Sequence, residues 1–132
     1  MNRSITALLA AGALMAAPLA TIAAASPASA DTTKRGVCGP GTYEFQVDRE
    51  DPEDGGGFEV SADLDRLTPG SSWTVVVKHD RQRIAKVTRT ADGEGELDVD
   101  VDRPNTTGAD AFRFKAVPTG GGATCAAGIT VS

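Results

Sequence analysis

The sequence predicts an all-β protein, an antiparallel two-sheet sandwich of about seven strands. Short segments in which every second residue is apolar recur along the chain, and turns rich in glycine, proline, asparagine and aspartate separate them. Residues 31–132 contain no segment with the apolar spacing of an amphipathic helix. Strands of this kind hide their apolar faces when two sheets pack together, and a closed barrel is the alternative.

Residues 1–30 have the three parts of a secretory signal peptide. Arg3 supplies a positive charge, an apolar run covers residues 5–17, and residues 28–30 form a small-residue cleavage site. We therefore expect a secreted, extracellular protein that begins at Asp31 and has no membrane association after cleavage. A retained membrane anchor is the alternative, but the prolines in this segment suit a cleaved signal better.

The remaining length, about 100 residues, is enough for one domain with its own core. The whole chain has 13 Lys and Arg against 18 Asp and Glu, a net charge of −5. An acidic chain is not expected to present the positive patch that binds nucleic acid or an acidic membrane surface. Residues 31–36 are predicted to be a disordered lead, and residues 37–132 the sandwich domain.

The chain has two cysteines, Cys38 and Cys125, and both lie in the part expected to be secreted. In an oxidising compartment a disulfide between them is the expected state. The loop that it closes covers nearly the whole domain, so the loop-closure model predicts a stabilisation of about 4–5 kcal/mol.

Alternation of apolar and polar residues places the strands along the chain. The predicted strands cover 42–48, 58–65, 73–79, 83–90, 96–102, 111–117 and 125–131. The strand that begins at Trp73 is apolar on parts of both faces, so it is predicted to lie inside a sheet. The register of the 83–90 strand is ambiguous, because Ile84 and Val87 fall on opposite faces.

Residues 72–132 also carry a recognisable succession of turn and strand signals. It consists of the run 90–101, the strand 112–116, a glycine-rich turn and the final segment 129–131. This succession resembles the second half of the immunoglobulin-like modules that are common in exported proteins of high-GC Gram-positive bacteria. The resemblance implies an immunoglobulin-like sandwich, and it implies no particular activity. The antibody-type version is not matched, since Ala123 stands where its corner tyrosine would be.

The side chains suited to catalysis are few, and the protein is predicted not to be an enzyme. There is one histidine, His79, no spare thiol, and the serines lie mostly in turns. A triad of His79 and Asp80 with Ser71 or Ser72 lacks the glycine pattern of a nucleophile elbow. His79 is expected to be an ordinary surface residue at a strand end, and no cofactor is predicted.

An acidic loop between the first two predicted strands is the main candidate for a metal site. Its weak calcium candidates are Asp48, Glu50, Asp51, Glu53 and Asp54. Carboxylate oxygens are the ligands that Ca²⁺ prefers, and the glycines of this loop would let it wrap an ion. The alternative is a plain solvated loop.

A second acidic string, Asp98, Asp100 and Asp102, lies on one face of a strand at intervals of about 7 Å, too far apart for one ion. We expect a solvated face that lies opposite rows of arginine or lysine on the neighbouring strand. No metal is therefore predicted at this string.

The predicted function is that of a small, monomeric, non-catalytic binding or envelope-associated module with an unidentified protein or cell-envelope partner. Trp73 and Phe112 are expected in the core, so they do not offer an exposed platform for sugars. One alternative is a small-molecule carrier with an apolar cleft, and another is a calcium-dependent module that uses loop 48–54. A flat exposed patch or a free sheet edge would favour the binding module.

Overall fold

A computed structural model describes residues 32–132, apart from the side chain of Asp54. Its strands are β1 (Thr33–Cys38), β2 (Gly41–Arg49), β3 (Phe58–Asp65), β4 (Ser72–His79), β5 (Gln82–Thr90), β6 (Leu97–Arg103), β7 (Asp110–Pro118) and β8 (Cys125–Val131). The seven predicted strands are confirmed to within one residue at each end. The predicted signal peptide, residues 1–30, lies outside the described part, in which no helix is long and apolar enough to cross a membrane.

The strands form two four-stranded antiparallel sheets, which confirms the predicted two-sheet sandwich. Sheet 1 has the order β1-β2-β3-β6, and sheet 2 has the order β5-β4-β7-β8. Strand β4 has a neighbour on each side, which confirms that the Trp73 strand lies inside a sheet.

Strand β1 is the eighth strand, and it corrects the prediction for the start of the domain. Residues 33–36, predicted to be disordered, pair with β2 in a continuous ladder that ends at Cys38 and Gly41. Gly36 lies against the ring of Tyr43, and a Cβ at this position would come within 2.7 Å of that ring. The ladder and this close approach order a segment whose own composition does not indicate a strand.

Aromatic rings fill the space between the two sheets. The ring of Phe114 lies 5.1 Å from that of Tyr43 and 4.9 Å from that of Phe45, measured between centroids. Phe58 and Phe112 meet edge to face at 5.2 Å, which confirms that Phe112 belongs to the core. Such pairs contribute about 0.5–1.5 kcal/mol each beyond the burial of their area.

The predicted disulfide is present. Cys38 ends β1 in sheet 1, and Cys125 begins β8 in sheet 2, with an S–S distance of 2.06 Å. The two positions are 87 residues apart. The bridge therefore joins the two layers along the edge where β1 lies over β8.

A β-bulge in β5 explains the ambiguous register of that strand. The pairing with β4 shifts between Val77 and Lys78, which leaves Ile84 as an additional residue on β5. Ile84 and Val87, which simple alternation places on opposite faces, therefore both pack against the core.

Candidate functional site

His79 is buried, so the prediction of an ordinary surface residue is wrong. It follows Trp73, Val75 and Val77 on the inward face of β4, and it is 3% exposed. Its ring stacks on that of Phe112 at a centroid distance of 4.3 Å. A polar ring in this position needs a hydrogen-bond partner, because an unpaired buried nitrogen is costly.

The partner is Asp110, the first residue of β7 and itself 1% exposed. His79 Nε2 lies 2.7 Å from Asp110 Oδ1, and the Thr106 hydroxyl donates to the same oxygen. Burial raises the pKa of Asp110, but the hydrogen bonds from Thr106 and His79 outweigh it and hold the pKa below its ordinary value of 3.8. Asp110 is therefore a stabilised carboxylate that ties β7 to the end of β4.

Asp80 completes this polar cluster from the turn between β4 and β5. Asp80 and Arg81 have φ angles of 48° and 70°, the left-handed pair of a type I′ hairpin turn. The Asp80 carboxylate accepts the backbone N–H of Ala111 at 2.8 Å, and its other oxygen lies 3.4 Å from His79 Nε2. These contacts lock the hairpin onto β7.

The geometry excludes the imagined catalytic triad. Ser72 begins β4 and His79 ends it, so the two side chains are about 23 Å apart along an extended strand. Ser71 precedes Ser72 and is therefore further still from His79, and its Oγ accepts the indole N–H of Trp73 at 3.0 Å. The single histidine therefore has no serine within reach at either position.

The acidic loop closes as a tight turn. Its backbone is held by three hydrogen bonds, from Glu50 N–H to Gly57 O, from Gly55 N–H to Pro52 O and from Gly56 N–H to Asp51 O. The candidate side chains described in this loop are those of Asp48, Glu50, Asp51 and Glu53. Among the described side chains, no three of these carboxylates bring oxygens within 4.8 Å of one another, so the loop as described does not form a calcium shell.

A set of three carboxylates does converge in the turn before β6, at Asp92, Glu94 and Glu96, and all three are exposed. One oxygen of Asp92 accepts the backbone N–H groups of Glu94 and Glu96, each at 2.9 Å. These hydrogen bonds lower the pKa of Asp92. The Asp92 carboxylate thus has a role in shaping the turn.

The outer face of sheet 2 is basic. Five cations point outward from its strands, and no described residue that points outward from them is acidic. The cations are Lys78, Arg83, Lys86, Arg113 and Lys115. They lie in two rows across the sheet, because Lys78 pairs with Arg83 and Arg113, whereas Val76 pairs with Lys86 and Lys115. We call this surface the basic face.

The outer face of sheet 1 is acidic. Eight carboxylates point outward from β2, β3 and β6. They are Glu44, Asp48, Glu59, Asp63, Asp65, Asp98, Asp100 and Asp102. Asp63 pairs with Glu44 on one side and with Asp98 on the other, and Glu59 pairs with Asp48 and Asp102 in the same way. We call this surface the acidic face.

The neighbours of the second acidic string differ from the arginine and lysine rows that were expected. Asp98, Asp100 and Asp102 are exposed on β6 as predicted, but their neighbours on β3 are Asp63, Ser61 and Glu59 rather than arginine or lysine. Burial, and then the charges of nearby carboxylates, raise the pKa of Asp63. Apart from the ion pair between Glu44 and Arg35 of β1, the carboxylates of this face therefore repel one another.

Charge of the two signs is segregated at a cost to the fold. Like charges directly opposite each other on neighbouring strands destabilise a sheet by about 0.2–1 kcal/mol per pair. In the described part of the chain, Arg35 and Glu44 form the one ion pair between a lysine or arginine and a carboxylate, at 2.6 Å. Fold stability does not account for this arrangement, because mixing the signs would replace repulsion with attraction.

A groove of about 570 Å³ crosses the basic face. Its lining includes Lys78, Arg113 and Lys115, together with Ala126 and Gly128 of β8, whose short side chains leave room beside the long cationic ones. The groove is open and lies on the outside of sheet 2. It differs from the apolar cleft between loops that a small-molecule carrier would use.

Sequence reasoning missed the basic face for a specific reason. Alternation with buried residues predicts the outward direction of Lys78, Arg113 and Lys115. The bulge in β5 puts Arg83 on the same face as Lys86, which simple alternation does not predict, and the order of the strands is needed to see that the five cations are neighbours. The expectation that the protein lacks a positive patch rested on net charge and is wrong for the described surface. The absence of a nucleic-acid partner stays a prediction, since net charge alone does not describe how charge is distributed over the surface.

No protein-family model, curated protein or solved structure matches this chain. Its interpretation therefore depends on its own residues. Its described residues offer a polar cluster around buried His79 and Asp110, whose groups bind one another, and an open cationic face with no acidic residue among the outward-pointing residues of its strands. The basic face is the better candidate site.

Proposed function

We propose that the protein is a small secreted, non-catalytic β-sandwich that acts as a binding or envelope-associated module and holds an anionic partner on its basic face. The observation that carries this proposal is the set of five outward cations in two rows, three of which line an open groove. Rows of cations without interspersed acids attract anions over long range and speed their association.

The chemistry of the cations suits this role. Arg83 and Arg113 flank Lys78 in one row, and a guanidinium can bind a carboxylate or phosphate through two parallel hydrogen bonds. Lysine ammonium groups add compact charges on flexible stems. An anionic group of the partner would lie across the rows, where several cations reach it at once.

Two further observations support secretion and a non-catalytic role. Residues 1–30 have the composition of a signal peptide, and the disulfide suits an oxidising space. The single histidine is buried against Asp110, so it is shielded from a substrate. These features favour a binding module over a hydrolase.

Binding of inorganic polyphosphate, measured by titration calorimetry at about 0.05 M salt, tests the proposal. The wild-type protein should bind this probe, and the variant with Arg113→Glu and Lys115→Glu should bind at least about tenfold more weakly, since two cations become anions. A control variant carries Lys34→Glu and Arg66→Glu, which change the net charge by the same amount away from the basic face. Equal loss of binding in both variants would overturn the proposed site.

A further inference from the structure

The two outer faces of this sandwich are complementary to each other. One carries five cations and the other eight carboxylates, and each covers a four-stranded antiparallel sheet. Neighbouring strands in both sheets are about 4.8 Å apart, so charges that lie side by side on neighbouring strands have the same spacing on the two faces. The faces point in opposite directions, which prevents them from meeting within one molecule.

We propose that the partner of the basic face is the acidic face of a second copy of this protein. The inference rests on the proposed function, because it takes the basic face as the binding surface and names its occupant. In such a contact the rows of Lys78 and Lys115 lie over rows of carboxylates on β3 and β6. Each copy neutralises the charges that repel one another in the isolated molecule.

The lengths of the side chains fit this contact. Lysine and arginine extend well beyond the sheet, whereas six of the eight carboxylates belong to aspartate, whose side chain is short. The long groups of one copy can therefore reach the short groups of the next without a clash between bulky side chains. Carboxylates of the acidic face such as Asp98 and Asp100 are exposed and open to such an approach.

Charge also determines the symmetry of the assembly. A two-fold dimer would place basic face on basic face or acidic face on acidic face, and like charges would repel. The contact must therefore join different surfaces of the two copies. Each added copy leaves one basic and one acidic face free, so association is open-ended and forms a stack along the direction normal to the sheets.

Sedimentation velocity over a range of protein concentrations tests the stack. The full chain is expressed in an exporting host and purified with its disulfide closed. At about 0.02 M salt the weight-average sedimentation coefficient should rise with concentration past the value for two copies. At about 0.5 M salt, where charges separated by more than about 5 Å are screened, it should return to the value for one copy.

Charge reversal on each face gives a sharper test. One variant carries Lys78→Glu, Arg113→Glu and Lys115→Glu, so both of its faces lack net positive charge. Another carries Glu59→Lys, Asp98→Lys and Asp100→Lys, which removes most of the charge of the acidic face. Each variant alone should sediment as a single copy at low salt. An equimolar mixture of the two should form pairs and nothing larger, because the mixture offers one intact basic face and one intact acidic face per pair.

Controls separate this inference from the proposed function. The Lys34→Glu and Arg66→Glu variant, which leaves both faces intact, should associate like the wild type. Circular dichroism and thiol titration establish that each variant is folded and oxidised, and the salt dependence of the wild type tests the stack even if a variant fails to fold.

Two results with the wild-type protein would overturn the stack: it stays a single copy at low salt, or its association stops at two copies. A mixture of the two reversed variants that forms no pairs would also overturn it. If the wild type stays a single copy but binds polyphosphate through the basic face, the occupant is another polyanion and the proposed function stands. If polyphosphate binding is equally weak in the basic-face and control variants, the proposed function itself fails.

Discussion

His79 and Asp110 place a hydrogen-bonded charged group inside a core that is otherwise aromatic and aliphatic. A buried carboxylate is stable only when donors replace the water that it has lost. Thr106 supplies one of these donors from an exposed segment before β7. The stability of the core at this end of the sandwich therefore depends on a hydroxyl group near its surface.

The substitution Thr106→Val is expected to lower the free energy of unfolding by about 1–2 kcal/mol at neutral pH, because Asp110 loses a donor. The loss should be largest above pH 4 and shrink as pH falls through the depressed pKa of Asp110, since protonation removes the charge that the hydroxyl stabilises. Urea unfolding at several pH values measures it. The exposed neighbour Thr107 is the control, and an equal loss in Thr107→Val would contradict this assignment.

The alternation of the sequence indicates that both residues of this pair point inward. His79 is an even number of residues from Trp73, Val75 and Val77, and Asp110 is two residues from Phe112. Alternation alone therefore directs the side chains of His79 and Asp110 inward. Their polarity argued for the surface instead. Alternation gives the direction of a side chain, but a polar residue is buried only if a partner lies opposite, and the partner depends on the pairing of β4 with β7.

Strand β1 forms through its pairing with β2, although its own sequence does not indicate a strand. Its charged and glycine residues do not alternate with apolar ones, so the sequence does not predict it, yet β2 provides a full ladder of partners. On its other side β1 has no strand neighbour in the sheet. The disulfide from Cys38 to β8 therefore holds an edge strand that backbone hydrogen bonds secure on one side.

Replacing both Cys38 and Cys125 with serine is expected to destabilise the protein by about 4–5 kcal/mol, since the bridge restricts the unfolded chain over 87 positions. For a domain of this size, the melting temperature should fall by more than about 15 °C. Thermal unfolding with and without reductant measures the same effect on the wild-type chain. An unchanged melting temperature on full reduction, checked by thiol titration, would show that the bridge does not stabilise the fold.

The order of strands also limits what could be predicted about the candidate site. Seven strands and their inward rows follow from alternation, because burial of one face imposes a period of two. The two charged faces do not follow from alternation, because they depend on which strands are neighbours. In the acidic face, β3 pairs with β6, which lies more than thirty residues later in the chain. Asp63 and Asp98 are neighbours only because of this pairing between distant strands, and no local sequence pattern indicates it.

At the scale of the whole molecule, opposite pKa shifts predict a stability maximum on the acidic side of neutrality. Burial and neighbouring acids raise the pKa of Asp63, and neighbouring acids raise that of Glu96, so the folded protein binds protons there more readily than the unfolded chain. Stability should therefore rise as pH falls from 7 toward the ordinary values of 3.8 and 4.5.

Below the ordinary pKa values of 3.8 and 4.5, the stability of the fold should instead decrease as pH falls. The pKa values of Asp110 and Asp92 are lowered by hydrogen bonds, so the stability that these carboxylates contribute is lost as pH falls through them. Urea midpoints between pH 7 and pH 2 should pass through a maximum near pH 4 to 5. Added salt at pH 7 should raise the midpoint by screening the acidic face, and a steady fall in stability from pH 7 downward would contradict the prediction.

The separation of Cys38 and Cys125 along the chain has a consequence for biosynthesis. Synthesis proceeds from the N-terminus, so the first thiol appears 87 residues before its mate and remains reactive throughout that interval. During that time it is open to exchange with small thiols or with a neighbouring nascent chain. The bridge cannot close before Cys125, at the start of the final strand, has been synthesised, so a closed bridge marks a molecule whose chain has been made at least that far.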